Sequence, residues 1–199
     1  MVAGLHLNVL FVMSKQLNAY ILTGGSSRRF GSDKAVCMVH GNTFLDNIHK
    51  TLQTNFTHIY SVGKKPYSDK LKFISDFSDY QAALVGIITA LRHTSSPWNF
   101  FISVDMPLIT SNVVYALKKE IVRNENKIII SSINGKISPL FCFYHRDCLV
   151  HFEKAFSVEN YTLMDVISSL NPEVVDLSHF SMELTNINTQ EQLHQVLNN

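Results

Sequence analysis

The feature that most constrains this fold is the alternation of apolar and amphipathic segments. The stretch "NFFISVD" (99–105) is almost wholly apolar, as expected for a central strand that is buried on both faces of a parallel sheet. Strand–helix alternation favours parallel strands joined by right-handed crossovers. We therefore predict a three-layer α/β domain with a mostly parallel sheet. Further strands are predicted over 18–23, 58–63 and 71–76, and helices over 42–54, 82–92 and 112–123.

The C-terminal third departs from this alternation. Two apolar runs, 127–132 and 139–145, flank Asn134-Gly135, which is a hairpin-type turn signal. This pattern predicts an antiparallel excursion in the sheet. We expect two helices near 146–156 and 161–170, a strand near 174–177, and a last helix over 190–197 with Thr189 as its N-cap.

Length and composition limit the class of protein. The chain has 199 residues, which suits one domain. Hydrophobic residues make up 46% of it and charged residues 17%, a composition that argues against disorder. The net charge is only +1, with Lys and Arg spread along the chain, so we expect no nucleic-acid partner. We also expect no membrane partner, because no apolar run is long enough to span a bilayer. Residues 1–17 are predicted to be an N-terminal extension that is either poorly ordered or mis-started, with Met13 as the natural start. Residues 18–199 are predicted to form a single domain.

The cysteines give no sign of a disulfide framework. There are three of them, Cys37, Cys142 and Cys148, and no C-x-x-C occurs. We expect three reduced thiols and a cytoplasmic location.

The stretch "LTGGSSRRFGSDKA" (22–35) follows the first predicted strand and has the composition of an anion-binding loop. Gly24 and Gly25 allow the backbone to approach a ligand, and successive N–H groups in such a turn can form an anion nest. Neither the P-loop nor the Rossmann pattern fits the glycine spacing. A polyphosphate site is the favoured interpretation, and an ordinary glycine-rich turn is the alternative. The cations nearby are Arg28, Arg29 and Lys34.

Two carboxylates follow predicted strands. Asp105 closes the most apolar strand, and a hard oxygen ligand at that edge suits Mg²⁺, which takes one or two carboxylates plus substrate phosphates. A helix-capping role for Asp105 is the alternative, although Thr110 and Ser111 are better placed as caps. Asp76 is the second candidate, and Asp79 lies near enough to compete with it.

The loop resembles the nucleotide-binding signature of the molybdenum cofactor guanylyltransferases, the MobA family, written L-A-G-G-x-S-x-R-M-G-x-D-K-[AG]. Thr23 replaces the usual Ala, and Phe30 the usual Met. Four later segments resemble family motifs in the family's order, so the resemblance covers nearly everything after Asn18. They are "LVGIITAL" (84–91), "FISVDMPLI" (101–109), "SPLFCFYHRD" (138–147), where the family has P-L-x-x-x-[YF], and "NINTQEQL" (186–193), where it has N-[IV]-N-T-P-E-[DE]-L.

The resemblance implies a Rossmann-like fold of the nucleotide-diphospho-sugar-transferase type, and transfer of GMP from GTP to the phosphate of molybdopterin with release of pyrophosphate. It also implies contact with other cofactor-biosynthesis or molybdoenzyme-maturation proteins. By resemblance, the catalytic residues are Lys34, Arg29 and Asp105, with Asp105 binding Mg²⁺. The nucleotide- and acceptor-binding positions are Leu22, Thr23, Gly24, Gly25, Lys34, Gly63, Asp76, Asp105, Asn186 and Asn188.

Several points stay open at the level of sequence. Gly63 stands where the family often has Asn, and 81–83 reads Gln-Ala-Ala where the family often has Gly-Pro, which leaves base specificity open. Asn186 and Asn188 orient either the acceptor or a loop, or they simply cap the last helix. The alternative functions are a relative that uses CTP, a sugar phosphate or a deazaflavin-cofactor precursor, and a non-catalytic nucleotide sensor.

Overall fold

A computed structural model describes residues 17–24, 30, 33–123 and 125–198. The predictions for Gly25, Arg28, Arg29 and most of the N-terminal extension lie outside the described residues. Leu17, the last residue of the predicted extension, is buried in the core.

One seven-stranded sheet organises the domain. Its order is β5-β4-β1-β6-β8-β7-β9, and β8 runs antiparallel to both of its neighbours while the other pairs are parallel. The short strands β2 and β3 pair separately as a hairpin. The strands are β1 (Asn18–Leu22), β2 (Met38–Val39), β3 (Asn42–Thr43), β4 (His58–Gly63), β5 (Lys72–Ser75), β6 (Trp98–Ser103), β7 (Ile128–Ile133), β8 (Lys136–His145) and β9 (Glu173–Asp176).

Helices cover both faces of this sheet and so make three layers. One core cluster packs α1, α3 and α6 against the first face, and a second cluster packs α2, α4 and α5 against the other. The three-layer, mostly parallel prediction is therefore confirmed. The helices are α1 (Phe44–Leu52), α2 (Ala83–His93), α3 (Ser111–Lys118), α4 (Leu149–Ser157), α5 (Leu163–Ser169) and α6 (Gln190–Leu197).

The sequence pattern explains why these elements form. Along β6, Phe100 packs into the first cluster and its neighbour Phe101 into the second, because successive side chains of a strand point to opposite faces. At the predicted hairpin, Asn134 and Gly135 adopt φ values of 51° and 76°, and this left-handed pair joins β7 to the antiparallel β8.

Some boundaries differ from the prediction. The strand β6 ends at Ser103, so Asp105 lies two residues beyond it, after a backbone bond from the Val104 N–H to the Leu22 carbonyl (3.1 Å). The helix predicted over 112–123 is α-helical only to Lys118 and continues as a 3₁₀ turn, Lys119–Val122. Thr110 stands at the N-cap of α3, but its hydroxyl makes no capping bond and is buried without a partner among the described residues.

None of the helices within the described ranges combines the length and hydrophobicity that crossing a bilayer requires.

Candidate active site

The carboxyl ends of the parallel strands β5, β4, β1 and β6 lie at one edge of the sheet. Thr23 follows β1, Gly63 ends β4 and Asp76 follows β5, and backbone bonds hold these ends in register. The Thr23 N–H donates to the Val62 carbonyl at 2.8 Å, and the Asp76 N–H donates to the Gly63 carbonyl at 2.8 Å. This edge is where open α/β sheets bind ligands.

A cleft of about 210 Å³ opens above β1, β4 and β5. Its floor includes Thr23, Gly24 and Asp76, and its walls include Lys64, Lys65 and Tyr80. Leu22 is buried beneath it, where its side chain fills the space beside Gly86 of α2. The strand ends therefore provide the polar floor of a site large enough for part of a small ligand.

Asp76 presents an unpaired carboxylate to this cleft. Its Oδ1 is buried and has no hydrogen-bond partner among the described residues. Burial raises the pKa of Asp76, and nearby Lys64 offsets part of that rise. Asp79, the competing candidate, is fully exposed and pairs with Lys64 at 3.5 Å. Of the two, only Asp76 lines the cleft, and it is an acceptor that a ligand donor would satisfy.

A second group of polar side chains lies beside β6. Lys34 begins the 3₁₀ turn Lys34–Val36, and its Nζ lies 2.6 Å from Asn188 Oδ1 and 3.5 Å from Asp105 Oδ2. The side chains of Lys34 and Asp105 are only 13% and 16% exposed. Asp105 Oδ1 is buried without a hydrogen-bond partner in the described ranges. We call Lys34, Asp105 and Asn188 the lysine cluster.

The C-terminal segment reaches this cluster through its backbone. The Ile187 N–H donates to the Asp105 carbonyl at 2.8 Å, which sets Asn188 beside Lys34. Asn188 is thus a partner of Lys34, whereas Thr189 caps α6 with a full capping box. Asn186, the other predicted residue of this motif, is exposed and is not brought into the cluster.

Three contacts at the site were not predicted from the sequence. Lys65 Nζ lies 2.7 Å from Asp33 Oδ2, and this hydrogen bond raises the pKa of Lys65. Lys64 donates to the Ser78 carbonyl. The signal for both lysines is their place directly after β4. Gln190, which stands where the family signature has Pro, donates from Nε2 to the Phe30 carbonyl at 3.2 Å and so ties α6 to the end of the glycine loop.

The donor set fits a cation that is shared with a substrate. Among the described residues there is no group of three or more His, Cys, Asp or Glu side chains placed to hold a metal. In the lysine cluster, Asp105 offers a carboxylate oxygen that is buried and has no hydrogen-bond partner among the described residues. Because Mg²⁺ is often held by one or two carboxylates together with substrate phosphates, Asp105 is compatible with that arrangement.

Comparison with known proteins identifies the family. Residues 19–174 match the sequence model of the MobA-like NTP transferase domain. The chain belongs to this family. It is accordingly a nucleotidyltransferase, and the MobA resemblance of the glycine loop and the later motifs is confirmed at the family level.

Two relatives match this chain over nearly its whole length. Both carry the name "Probable molybdenum cofactor guanylyltransferase". The protein from Natranaerobius thermophilus is 28% identical over 196 residues, covering 92% of this chain and 96% of the relative. The protein from Aquifex aeolicus is 26% identical over 192 residues, covering 93% of this chain and 92% of the relative.

Solved structures share the fold. Molybdopterin-guanine dinucleotide biosynthesis protein A from Archaeoglobus fulgidus superposes with a TM-score of 0.78 at 20% identity, covering 91% of this chain and 97% of that one. 4-Diphosphocytidyl-2C-methyl-D-erythritol synthase from Anaerococcus prevotii gives 0.67 at 13% identity, covering 93% and 98%. The same sheet architecture therefore occurs in proteins named for different reactions, and the residues at the sheet edge must carry the argument for substrate.

Proposed function

We propose that this nucleotidyltransferase transfers GMP from GTP to the phosphate of molybdopterin and releases pyrophosphate. The single observation that supports it best is the lysine cluster, in which Lys34 lies beside Asp105 and directly follows Asp33, a residue that lines the cleft. The names of the two relatives that span nearly the whole chain agree with this reaction.

The reaction requires little covalent chemistry from the protein itself. An oxygen of the acceptor phosphate attacks the α-phosphorus of GTP, and the bond to the bridging oxygen breaks, so that pyrophosphate leaves with that electron pair. The protein must hold the groups in line and neutralise charge. The Lys34 ammonium would stabilise charge on the α-phosphate. Gly24, Gly25 and Arg29 would bind the leaving phosphates; of these, Gly25 and Arg29 are assigned from sequence alone.

The nucleobase would lie in the cleft. Guanine presents two neighbouring N–H donors, N1–H and the N2 amino group, to a carboxylate. The carboxylate of Asp76, which lines the cleft, suits that pair, whereas cytosine offers a single amino donor on its corresponding edge. Asp76 therefore favours GTP over CTP as the substrate.

Asp105 would hold Mg²⁺ through its free carboxylate oxygen. When bound, such an ion neutralises phosphate charge and polarises phosphoryl oxygens. The Lys34 ammonium, which now lies beside Asp105, would then turn toward the substrate phosphates. The buried thiols of Cys142 and Cys148, which form no disulfide within the described part of the chain, support the cytoplasm as the compartment.

The test is a pyrophosphate-release assay with molybdopterin, Mg²⁺ and either GTP or CTP. We expect product with GTP, and a fall in rate of about 10²–10³ or more for Lys34→Ala and for Asp105→Ala. Lys50→Ala, which changes an exposed lysine of α1, is the matched control and should keep the parent rate. Product with CTP alone, or an Asp105→Ala variant as fast as the parent, would contradict the proposal. Nucleotide binding without turnover would support a sensor instead.

A further inference from the structure

We propose that Thr23 and Gly63 are a coupled pair that determines how the cleft contacts the nucleoside. In this pair the Thr23 hydroxyl accepts a hydrogen bond from the nucleoside and, by its position, excludes any side chain at 63. The inference deepens the proposed function and rests on it, because it assigns the nucleoside to the cleft.

The pair is created by the register of β1 and β4. Leu22 is opposite Val62, so Thr23 and Gly63 follow side by side at the sheet edge. The N–H and the Oγ1 of Thr23 both donate to the Val62 carbonyl, at 2.8 Å and 2.9 Å. These two bonds to one acceptor fix the rotamer of the Thr23 side chain.

The fixed hydroxyl occupies the place of a side chain on Gly63. A β-carbon built on Gly63 would lie 2.4 Å from Thr23 Oγ1, a separation that real β-carbons essentially never show. The next atoms are the Gly24 nitrogen at 3.2 Å and the Thr23 carbonyl carbon at 3.4 Å. With alanine at 23 the worst contact would therefore be 3.2 Å, which a small backbone adjustment relieves. The φ of Gly63 is not in the left-handed region, so steric exclusion is the reason for glycine here.

This geometry couples the residue types at 23 and 63, because a hydroxyl at 23 and a β-carbon at 63 compete for one space. A β-carbon at 63 alone creates a clash, and alanine at 23 alone leaves a gap, whereas the two changes together remove the 2.4 Å contact.

The exchange also changes the chemistry of the cleft floor. The Thr23 hydroxyl proton is committed to the Val62 carbonyl, so toward the cleft Oγ1 can only accept. Asp76 Oδ2 lies close by, 3.5 Å from a β-carbon built on Gly24, and also accepts. An Asn at 63 would add a donor. The floor of this cleft thus suits a nucleoside edge that presents donors, meaning ribose hydroxyls or base N–H groups.

A double-mutant cycle tests the pair with two readouts, the melting temperature without ligand and the Kd for GTP by calorimetry. Thr23→Ala should weaken GTP binding about two- to tenfold, the effect of one lost hydrogen bond. Gly63→Asn should lower the melting temperature and weaken binding at least as much. The double variant Thr23→Ala/Gly63→Asn should recover most of the melting temperature that Gly63→Asn loses. Thr23→Ser keeps the hydroxyl and should weaken binding less than Thr23→Ala does.

Thr54→Ala is the matched control, because Thr54 also donates its hydroxyl to a backbone carbonyl but lies at the end of α1. It should leave the Kd unchanged. If Gly63→Asn does not fold, Gly63→Ala adds only the β-carbon and replaces it in the cycle. Additive effects on melting temperature would overturn the coupling, and a Thr23→Ala variant with parental Kd would overturn the hydroxyl contact. A parent that binds neither GTP nor CTP refutes the proposed function and the hydroxyl contact together, while the melting cycle still decides the steric coupling.

Discussion

At the scale of residues, two aspartates of the sheet edge differ in their surroundings. Each has one buried oxygen with no hydrogen-bond partner among the described residues. The other oxygen of Asp105 lies 3.5 Å from the Lys34 ammonium, whereas burial raises the pKa of Asp76. An unpaired buried acceptor costs stability in the free protein, and the same carboxyl group lines the cleft. If the proposed function holds, Asp76 trades stability for binding, as functional residues commonly do.

That trade has a pH signature. In the unfolded chain the carboxyl group of Asp76 has its ordinary pKa, and in the folded protein burial raises that pKa. Between the two values the folded state holds more protons, so the contribution of Asp76 to stability falls as pH rises through this window and then stays constant. The melting temperature of Asp76→Asn should therefore rise relative to that of the parent as the pH increases through this window, and it should remain higher at neutral pH.

Thermal scans from about pH 3 to pH 8 measure this difference. Asp79→Asn is the control, since Asp79 is fully exposed, and its difference from the parent should not rise in that way. An Asp76→Asn variant that is less stable than the parent at neutral pH would contradict the burial argument. The same variant should bind GTP more weakly.

Asn188 is expected to act through Lys34. Its Oδ1 accepts from the Lys34 ammonium at 2.6 Å and so orients that group. Asn188→Ala should lower kcat by about 10–100-fold, the range for a bond to a charged group. The double variant Lys34→Ala/Asn188→Ala should be no slower than Lys34→Ala alone. Asn186→Ala is the control, because Asn186 lies in the same segment but outside the cluster. If the losses of kcat for Lys34→Ala and Asn188→Ala added up in the double variant, Asn188 would act independently of Lys34.

At the scale of elements, α6 begins next to the lysine cluster. Thr189 caps it with a capping box, accepting from the Gln192 N–H at 3.2 Å while the Gln192 side chain accepts from the Thr189 N–H at 3.2 Å. Thr189→Ala should cost about 0.5–2 kcal/mol of unfolding free energy, measured by urea denaturation. Thr162→Ala is matched to it, because Thr162 stands at the N-cap of α5 without a side-chain capping bond. Equal losses for both variants would show that the capping box does not stabilise α6.

The elements also show how far the sequence predicts this fold. Strands such as β4, over 58–63, were predicted correctly because several apolar residues in a row or in alternation identify them. The hairpin of β2 and β3 was missed, since two-residue strands have no period and their turn, His40-Gly41, is not a common hairpin pair. Helix α3 was predicted too long because apolar spacing does not distinguish an α-helix from the 3₁₀ turn that follows Lys118.

The same distinction applies to the residues of the candidate site, some of which the sequence predicts and some of which it does not. Positions at strand ends, such as Asp76, follow from the topology of parallel strands, so they were predictable. The bond between Lys34 and Asn188 joins residues 154 positions apart, and periodicity contains no information on such a pair. The exclusion of a side chain at Gly63 likewise needed the register of two strands and the rotamer of Thr23.

At the scale of the whole molecule, the candidate site is built from segments near both ends of the domain. The first strand supplies Thr23 and leads into the glycine loop, and the last segment returns to it through the Ile187–Asp105 backbone bond and the Gln190–Phe30 bond. A ligand that bridges the cleft and the lysine cluster therefore contacts groups from both ends of the chain. Its binding should stabilise the fold as a unit.

This argument gives a quantitative expectation. A ligand at 100 times its Kd stabilises the folded state by about 2.7 kcal/mol, which for a domain of this size is about 5–10 °C in melting temperature. GTP with Mg²⁺ should produce a shift of this order in thermal scans, and CTP a smaller one, because Asp76 offers acceptors to guanine donors. Lys34→Ala should reduce the GTP shift, whereas Lys50→Ala should retain it. A CTP shift as large as that of GTP would mean that Asp76 does not select the base, and it would contradict the proposed preference for GTP.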